Sequence, residues 1–168
     1  NPKNLRTLGD LARPGVRVAL GEPRTVLLGL YAVEILEKAN LLEAVGKNVV
    51  TLSESATRLA ALIPMGSVDA VIGWDVFAAW NPDGVEIVHL EPGQVPRIAY
   101  LAAAVSTFST RPAAAKAFVD FLAGDEVPAI FGKNGYIVTE AEAMKLAPRA
   151  VIGGSFGLPD NFTMPVRP

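Results

Sequence analysis

The chain has 168 residues, of which 51% are hydrophobic and 19% charged, and its formal net charge is −2. These values are typical of a globular protein with one substantial core, and the absence of a basic run argues against a nucleic-acid partner. The sequence contains no cysteine, which excludes disulfides, thiolate metal sites and cysteine nucleophiles.

Short apolar runs alternate with helical patterns along the first half of the chain. Strands are predicted over residues 16–20, 49–52 and 69–74. The first helix should bury one apolar face and expose its charges; that face comprises Leu28, Ala32, Ile35, Leu36 and Ala39, and the charges are Glu34, Glu37 and Lys38. Ser53 or Ser55 offers an N-cap for the second helix, and a short helix through Phe77 follows the third strand.

The second half contains two further predicted strands and three helices. Residues 85–90 alternate as a half-exposed strand does, and residues 98–105 form a fully apolar run of about one buried strand. Pro112 opens an alanine-rich helix, Asp125 is expected to cap the next, and Thr139 begins a capping box. The expected buried face of the alanine-rich helix comprises Ala114, Ala117, Phe118, Phe121 and Leu122.

This alternation predicts an α/β fold with a mostly parallel sheet and helices on both faces. Three strand-to-helix junctions then open on the same sheet edge: residues 21–29, 52–57 and 73–76. Free N–H groups and the positive ends of helix dipoles converge at such an edge and can hold an anion without any lysine or arginine. Every α/β protein has such junctions, so spacing alone does not identify a site.

Two glycine-containing motifs flank the first junction. Gly21-Glu22-Pro23 follows the first strand, and Gly29-Leu30-Tyr31-Ala32 opens the helix. They resemble the periplasmic molybdate/tungstate-binding protein family (type II solute-binding proteins of ABC transporters), which has Gly-Asp-Pro and Gly-x-Tyr-Ala at these places. Other segments resemble the same family in the same order; they are residues 1–11, 69–74, 112–122 and 130–136. The resemblance extends from Asn1 to about Val138.

The resemblance implies a type II periplasmic-binding-protein fold, in which an oxyanion lies between two lobes and is held by hydrogen bonds alone. Carried over by position, two backbone donors fall on Leu28 and Ala56, and Thr25 and Ser55 complete the expected ligand-binding set. The aromatic donor falls on Trp74, where the family has a tyrosine. Tryptophan has an N–H donor and no hydroxyl, so Trp74 is either a donor of different reach or a wall.

The resemblance also implies a division of the chain. Residues 1–97 are expected to form a complete lobe two, residues 98–138 the return strand and helices of lobe one, and residues 139–168 a short helix and C-terminal tail. The first part of lobe one has no counterpart in this sequence. A missing N-terminal half-lobe or a second copy of the chain is therefore expected as a partner.

The function implied is that of an extracytoplasmic solute-binding protein, or a fragment of one. It would bind a tetrahedral oxyanion, molybdate or tungstate, for uptake through the membrane subunit of an ABC transporter. The location implied is periplasmic or extracytoplasmic; the sequence has no signal peptide, so a processed or trimmed chain is expected. The alternative is a cytoplasmic ligand-sensing effector domain of a transcription regulator, which uses the same two-lobed fold.

No enzymatic activity, cofactor or metal is expected. Residues 153–157 match the nucleophile-elbow pattern GxSxG around Ser155, but Leu158-Pro159-Asp160 follows where a helix should begin. The single histidine, His89, lies upstream of that serine, whereas this type of triad places it downstream. One histidine also makes no metal site. We therefore interpret residues 153–157 as part of a flexible glycine-rich tail.

Overall fold

The structure is a computed structural model that describes residues 1–154 and 156–166. A 3₁₀ helix at Leu8–Ala12 precedes the first strand. The strands are β1 (Val18–Gly21), β2 (Val49–Ser53), β3 (Ala70–Val71), β4 (Arg97–Ile98) and β5 (Val151–Ile152). The helices are α1 (Leu27–Lys38), α2 (Leu42–Gly46), α3 (Ala56–Ala61), α4 (Val76–Trp80), α5 (Pro112–Leu122), α6 (Val127–Lys133) and α7 (Glu140–Leu146).

The central sheet has the strand order β2-β1-β3, and both pairings are parallel. Val18 lies opposite Val49 on one side and opposite Ala70 on the other. β4 and β5 form a separate parallel pair. The predicted α/β fold with a parallel sheet is confirmed. β1 and β2 begin and end within two residues of the predicted positions, whereas β3 is shorter than predicted.

Alternation along β1 separates the two faces of the sheet. Val18 and Leu20 belong to a core cluster with the 3₁₀ helix, α1 and α2, while Ala19 belongs to a second cluster with α3 and α4. All three side chains are fully buried. Because successive side chains of a strand point to opposite faces, the sheet is covered by helices on both sides, as predicted.

The glycines of the first junction are explained by a close approach between the end of β1 and the first turn of α1. A Cβ atom on Gly29 would lie 2.2 Å from the carbonyl oxygen of Gly21, and one on Gly21 would lie 2.6 Å from the Gly29 nitrogen. Both obstacles are backbone atoms. Only glycine at these two positions lets the helix begin this close to the sheet.

Replacing Gly29 with alanine is therefore expected to lower the free energy of unfolding by about 1–3 kcal/mol or more, because the added methyl group must displace backbone. Gly93→Ala is the matched control, since nothing lies within 4 Å of its Cβ position. Urea denaturation of both variants measures the difference. Equal stability of the two variants would contradict the close approach.

The N-terminal segment is fastened to the sheet by an ion-pair cluster centred on Asp69. The Arg17 backbone N–H and guanidinium both donate to its carboxylate, and Lys3 Nζ lies 3.1 Å from Oδ2. The hydrogen bonds from Arg17 lower the pKa of Asp69 to about 2, although partial burial opposes this. The charged carboxylate is thus favoured in the folded state.

This lowered pKa predicts a pH dependence of stability. A carboxyl group with a folded-state pKa near 2 and an unfolded value near 3.8 stabilises the fold above pH 4, and that contribution is lost as the pH falls from 4 to 2. Asp69→Asn should therefore lose less stability over this interval than the unmodified chain. Thermal unfolding at pH 6, 4, 3 and 2 tests this, with Asp120→Asn, at an exposed surface ion pair, as control.

Two predicted strands are wrong in extent. Residues 85–90 contain no strand, and of the apolar run 98–105 only Ile98 is in β4. Tyr100 and Leu101 are 66% and 70% exposed. A strand needs a hydrogen-bonded neighbour as well as a suitable pattern, and among the described residues neither segment has one beyond the two-residue pairing of β4 with β5.

The helices of the second half have the predicted positions but not the predicted burial. α5 begins at Pro112 as expected, yet Phe118 and Phe121 are 60% and 50% exposed and none of its residues is buried. α6 has Glu126 as N-cap without a side-chain hydrogen bond, so the predicted Asp125 cap is wrong. The Thr139 hydroxyl does accept from the Glu142 N–H, which confirms the cap of α7.

The C-terminal segment packs against the sheet domain, contrary to the predicted flexible tail. Phe156, Leu158, Phe162 and Met164 all join the core cluster that contains Val18 and Leu20. The guanidinium of Arg24 donates to the carbonyl oxygens of Asp160 and Phe162. Ser155, in the nucleophile-like pattern, lies outside the described residues.

Candidate functional site

Parallel pairing places the three predicted junctions at one edge of the sheet. β1 ends at Gly21, β2 ends opposite it at Ser53, and β3 runs beside β1 in the same direction. The helices that follow these strands, α1, α3 and α4, therefore begin at the carboxyl edge, which is where ligands bind in open α/β folds. The predicted convergence of the junctions is confirmed.

The first junction presents the N-terminus of α1, a helix of twelve residues. Val26 is its N-cap and has no side-chain capping bond, while the N–H groups of Gly29 and Leu30 donate to the Val26 carbonyl. Leu28 is the second helical residue, so its N–H precedes the intrahelical ladder and is available for another acceptor. Its side chain is buried in the second core cluster. Thr25 lies just before the helix and is exposed.

The second junction is organised by two serines. The Ser53 hydroxyl accepts from the Ser55 N–H and donates to the Ser55 carbonyl, and the Ser55 hydroxyl caps α3 by accepting from the Arg58 N–H. The predicted N-cap at Ser55 is confirmed. Ala56 is the first residue of α3 and is half-buried. Its N–H also precedes the intrahelical ladder.

The third junction places Trp74 beside α1. Its ring meets that of Tyr31 edge-on, with centroids 6.0 Å apart and an interplanar angle of 84°. This geometry favours a packed aromatic pair. Among residues 1–154 and 156–166, no hydrogen bond involves the Trp74 indole N–H. The Trp74 ring therefore packs against α1, a few residues after the end of β3.

A cavity of about 550 Å³ reaches two of the five predicted residues. Leu28 and Trp74 line it together with Tyr31, and it continues along β3. Thr25, Ser55 and Ala56 do not line it, although they lie at the same sheet edge. The structure therefore brings the five residues to one edge but joins only two of them in one cavity.

A buried ion pair next to this cavity was missed by the sequence analysis. Glu34, predicted to be exposed, is only 1% exposed. Its carboxylate accepts from Arg97 Nε at 3.0 Å and from Arg97 Nη2 at 3.2 Å. Arg97 Nη1 donates to the Gly153 carbonyl at 2.6 Å. The pair therefore joins α1 to β4 and to the segment after β5. The helical periodicity of α1 alone does not predict such a long-range contact.

The ion pair also shapes the electrostatics of the cavity wall. Its hydrogen bond with Glu34 raises the pKa of Arg97, against desolvation, and holds the guanidinium in its charged form. Burial raises the pKa of Tyr31, while the charge of Arg97 acts in the opposite direction. Tyr31 consequently stays protonated at neutral pH and presents a neutral hydroxyl beside the cavity.

The described residues offer little for metal chemistry. Within residues 1–154 and 156–166, no group of three or more histidine, aspartate or glutamate side chains is placed to hold a metal ion. His89 lies 3.7 Å from the Asp75 carboxylate, and both are substantially exposed. In the same part of the chain, no helix combines the length and apolar character that crossing a membrane requires.

Two solved structures have a fold similar to that of this chain. One is the substrate binding domain of a putative molybdenum ABC transporter from Clostridium difficile, with a TM-score of 0.56, 21% identity, and coverage of 83% of this chain and 60% of that one. The other is PEB3 with L-phospholactate bound, with a TM-score of 0.58, 19% identity, and coverage of 80% and 59%. The chain thus spans about 60% of the length of these structures.

Sequence comparisons give one family match. No curated protein sequence matches the chain significantly. The family model described as bacterial extracellular solute-binding protein matches residues 1–137, which is most of the chain. The family consists of binding proteins, in agreement with the prediction that the chain is not an enzyme. The chain belongs to the bacterial extracellular solute-binding protein family.

Proposed function

We propose that the chain provides one wall of a binding site for a tetrahedral oxyanion, molybdate or tungstate, in an extracytoplasmic solute-binding protein. The Leu28 and Ala56 N–H groups donate to the anion, Thr25 and Ser55 lie beside them, and Trp74 closes one side. The loaded protein delivers the anion to the membrane subunit of an ABC transporter. The location of the protein is periplasmic or otherwise extracytoplasmic.

One observation carries the proposal: α1 and α3 begin side by side at the carboxyl edge of a parallel sheet. Glu22 N–H donates to the Ser53 carbonyl at 2.8 Å and ties the two junctions together. First-turn N–H groups at such an edge suit an acceptor-only anion. The solved relatives agree with this chemistry, because one is named for molybdenum transport and phospholactate carries a tetrahedral phosphate group.

The same proposal divides the chain between two lobes. In it, residues 1–97 form a complete lobe two, residues 98–138 are the return strand and helices of lobe one, and residues 139–168 are a short helix and C-terminal tail. The exposure of Phe118 and Phe121 on α5 supports this division. An apolar face of this kind is normally covered in a complete domain, here by a further part of lobe one or by a second copy.

Ala56→Pro tests the donor on α3. Proline is tolerated at the first position of a helix and removes only the N–H. Ser55 already has the extended backbone that a following proline requires, with φ −147° and ψ 131°. We expect the affinity for molybdate, measured by calorimetry, to fall by about 1–3 kcal/mol.

Glu140→Pro is the matched control for this experiment. Glu140 is the first residue of α7, and Thr139 before it is also extended, with φ −128° and ψ 145°. This variant should fold and bind molybdate as the unmodified chain does. If Ala56→Pro binds equally well while keeping its circular dichroism spectrum, the Ala56 N–H is not a ligand donor and the proposed site is wrong.

A further inference from the structure

The C-terminal segment, residues 156–166, packs on the central sheet although it lies outside the family match. The family model matches residues 1–137, whereas four apolar side chains of this segment join the core cluster that contains Leu20 and Leu36. One of them, Met164, is only 6% exposed. The segment is therefore anchored on the sheet domain by apolar contacts that the family match does not cover.

Arg24 connects the C-terminal segment to the first ligand junction. Its Nη2 donates to the carbonyl oxygens of Asp160 and Phe162, at 2.8 and 2.9 Å. These acceptors are 136 and 138 residues away in the sequence. Glu22, Pro23 and Arg24 also line a small cleft together with Phe162. The guanidinium is thus directed toward the C-terminal segment.

The first junction is a short turn, residues 22–26, between β1 and α1. Its Glu22 N–H donates to the Ser53 carbonyl, and the N–H groups of Thr25 and Val26 donate to the Glu22 carbonyl. The Glu22 carboxylate accepts from the backbone N–H of residue 24. These bonds all lie at the ligand edge, and the side chain of residue 24 adds the two bonds that reach the C-terminal segment.

The C-terminal segment has a second anchor near the opposite edge of the sheet. Gly46 ends α2, shortly before β2 begins at Val49. A Cβ atom on Gly46 would lie 2.5 Å from Pro165 Cγ and 2.6 Å from the Pro165 carbonyl oxygen. β2 rises about 3.3 Å per residue on its way to Ser53, so the ligand edge is roughly 13 Å further along the strand. A methyl group at Gly46 therefore displaces the segment without touching the ligand edge.

We propose that Arg24 is a positioning residue of the ligand site and that the C-terminal segment is its support. The inference rests on the proposed function, because the residues that Arg24 positions are Thr25, directly after it, and Leu28, four residues on. A site built on a turn needs such support to hold its donors in place. When the support is lost, only a fraction of the molecules present the Leu28 N–H to the anion, and the apparent affinity falls by that fraction.

Two variants loosen the segment from its two anchors. Arg24→Met keeps the length of the side chain and removes both hydrogen bonds, and Gly46→Ala displaces Pro165. Amide hydrogen exchange is measured for the hydrogen-bonded N–H groups of residues 22–26, with Ala39, whose N–H donates to the Ile35 carbonyl at the far end of α1, as internal reference.

We expect each variant to accelerate exchange at residues 22–26 by roughly threefold or more, with Ala39 unchanged. The affinity for molybdate, measured by calorimetry, should weaken by roughly threefold to tenfold. Because Arg24→Met and Gly46→Ala act through one segment, the effect of the double variant should be smaller than the two single effects combined. Arg24→Lys, which keeps a charged donor, should recover part of the lost affinity.

Two control variants distinguish position from charge and from a general glycine effect. Arg58→Met removes an exposed arginine from α3 at the same sheet edge, and Gly93→Ala adds a methyl group in open space. Both should leave exchange at residues 22–26 unchanged. If Arg58→Met weakens molybdate binding as much as Arg24→Met does, the charge at this edge explains the loss and the inference is overturned.

Unchanged exchange at residues 22–26 in Gly46→Ala overturns the inference, and so do fully additive effects in the double variant. Arg24 is exposed, so Arg24→Met still decides the matter if Gly46→Ala does not fold: unchanged exchange in that variant alone is also contradictory. If the unmodified chain does not bind molybdate, the proposed function fails separately, while the exchange measurements still decide whether the C-terminal segment supports the turn.

Discussion

Replacing Arg97 with methionine is expected to lower the melting temperature by about 10 °C, because it leaves the carboxylate of Glu34 buried without its main partner. Removing one member of a buried ion pair is among the most destabilising single changes in a protein of this size. Among the described residues, the remaining ion-pair partner of Glu34 is Lys38, whose Nζ lies 3.3 Å from Oε1 and whose side chain is 60% exposed. A solvated lysine compensates little for the lost guanidinium.

The double variant Glu34→Leu with Arg97→Met distinguishes the charge effect from lost packing. It removes both charges and keeps side chains of similar volume, so it should recover most of the melting temperature. Lys116→Met is the surface control, because its ion pair with Asp120 is largely exposed on both sides. A single Arg97 variant as stable as this control would show that Glu34 is not dependent on Arg97.

The ion pair matters for the fold because it connects segments far apart in the chain. Glu34 lies on α1, Arg97 begins β4, and Gly153 follows β5. The ion pair therefore joins α1 to β4 and to the residue that follows β5. Loss of Arg97 should loosen the connection between the central sheet and the second half of the chain as well as lower stability.

Much of the central sheet follows from local pattern. β1 and β2 are flanked by residues that break strands and start helices, namely Gly21, Pro23 and Ser55, so periodicity and capping locate them to within two residues. The shared carboxyl edge follows from parallel pairing alone. The free N–H groups at the starts of α1 and α3 were therefore predictable as features of the fold, whereas periodicity carries no information about a ligand.

The other features depend on partners distant in sequence. An acidic side chain such as that of Glu34 is expected to be exposed to solvent. Its burial depends on the ion pair with Arg97, which is 63 residues away in the sequence. Residues 85–90 and 98–105 have strand-like composition, but a strand forms only where a neighbour supplies hydrogen bonds. The same holds for α5, whose amphipathic pattern predicts a buried face while Phe118 is 60% exposed. In each case the local sequence determines the chemical character of the segment, whereas a segment distant in sequence determines whether it is buried or paired.

The 168-residue chain by itself is expected to bind molybdate only weakly, with a dissociation constant between about 10 mM and tens of micromolar. The proposed site has two backbone donors, at Leu28 and Ala56. A hydrogen bond to a charged group contributes about 1.5–3 kcal/mol, so two contribute about 3–6 kcal/mol. A dissociation constant of 1 mM corresponds to about 4.1 kcal/mol, whereas nanomolar binding requires about 12 kcal/mol.

The selectivity of the isolated chain for molybdate over sulfate should also be weak, because the proposed site is open. Molybdate and sulfate carry the same charge, so discrimination by size requires an enclosed site, whereas the site proposed for this chain is a single wall. Calorimetric titration with each anion at constant ionic strength measures the affinity for molybdate and the selectivity over sulfate. Sedimentation at the same protein concentrations shows whether the chain self-associates through the exposed face around Phe118 and Phe121. A monomer that binds molybdate at nanomolar strength, and prefers it strongly over sulfate, would show that the whole cage is present in these 168 residues and that the two-lobed division is wrong.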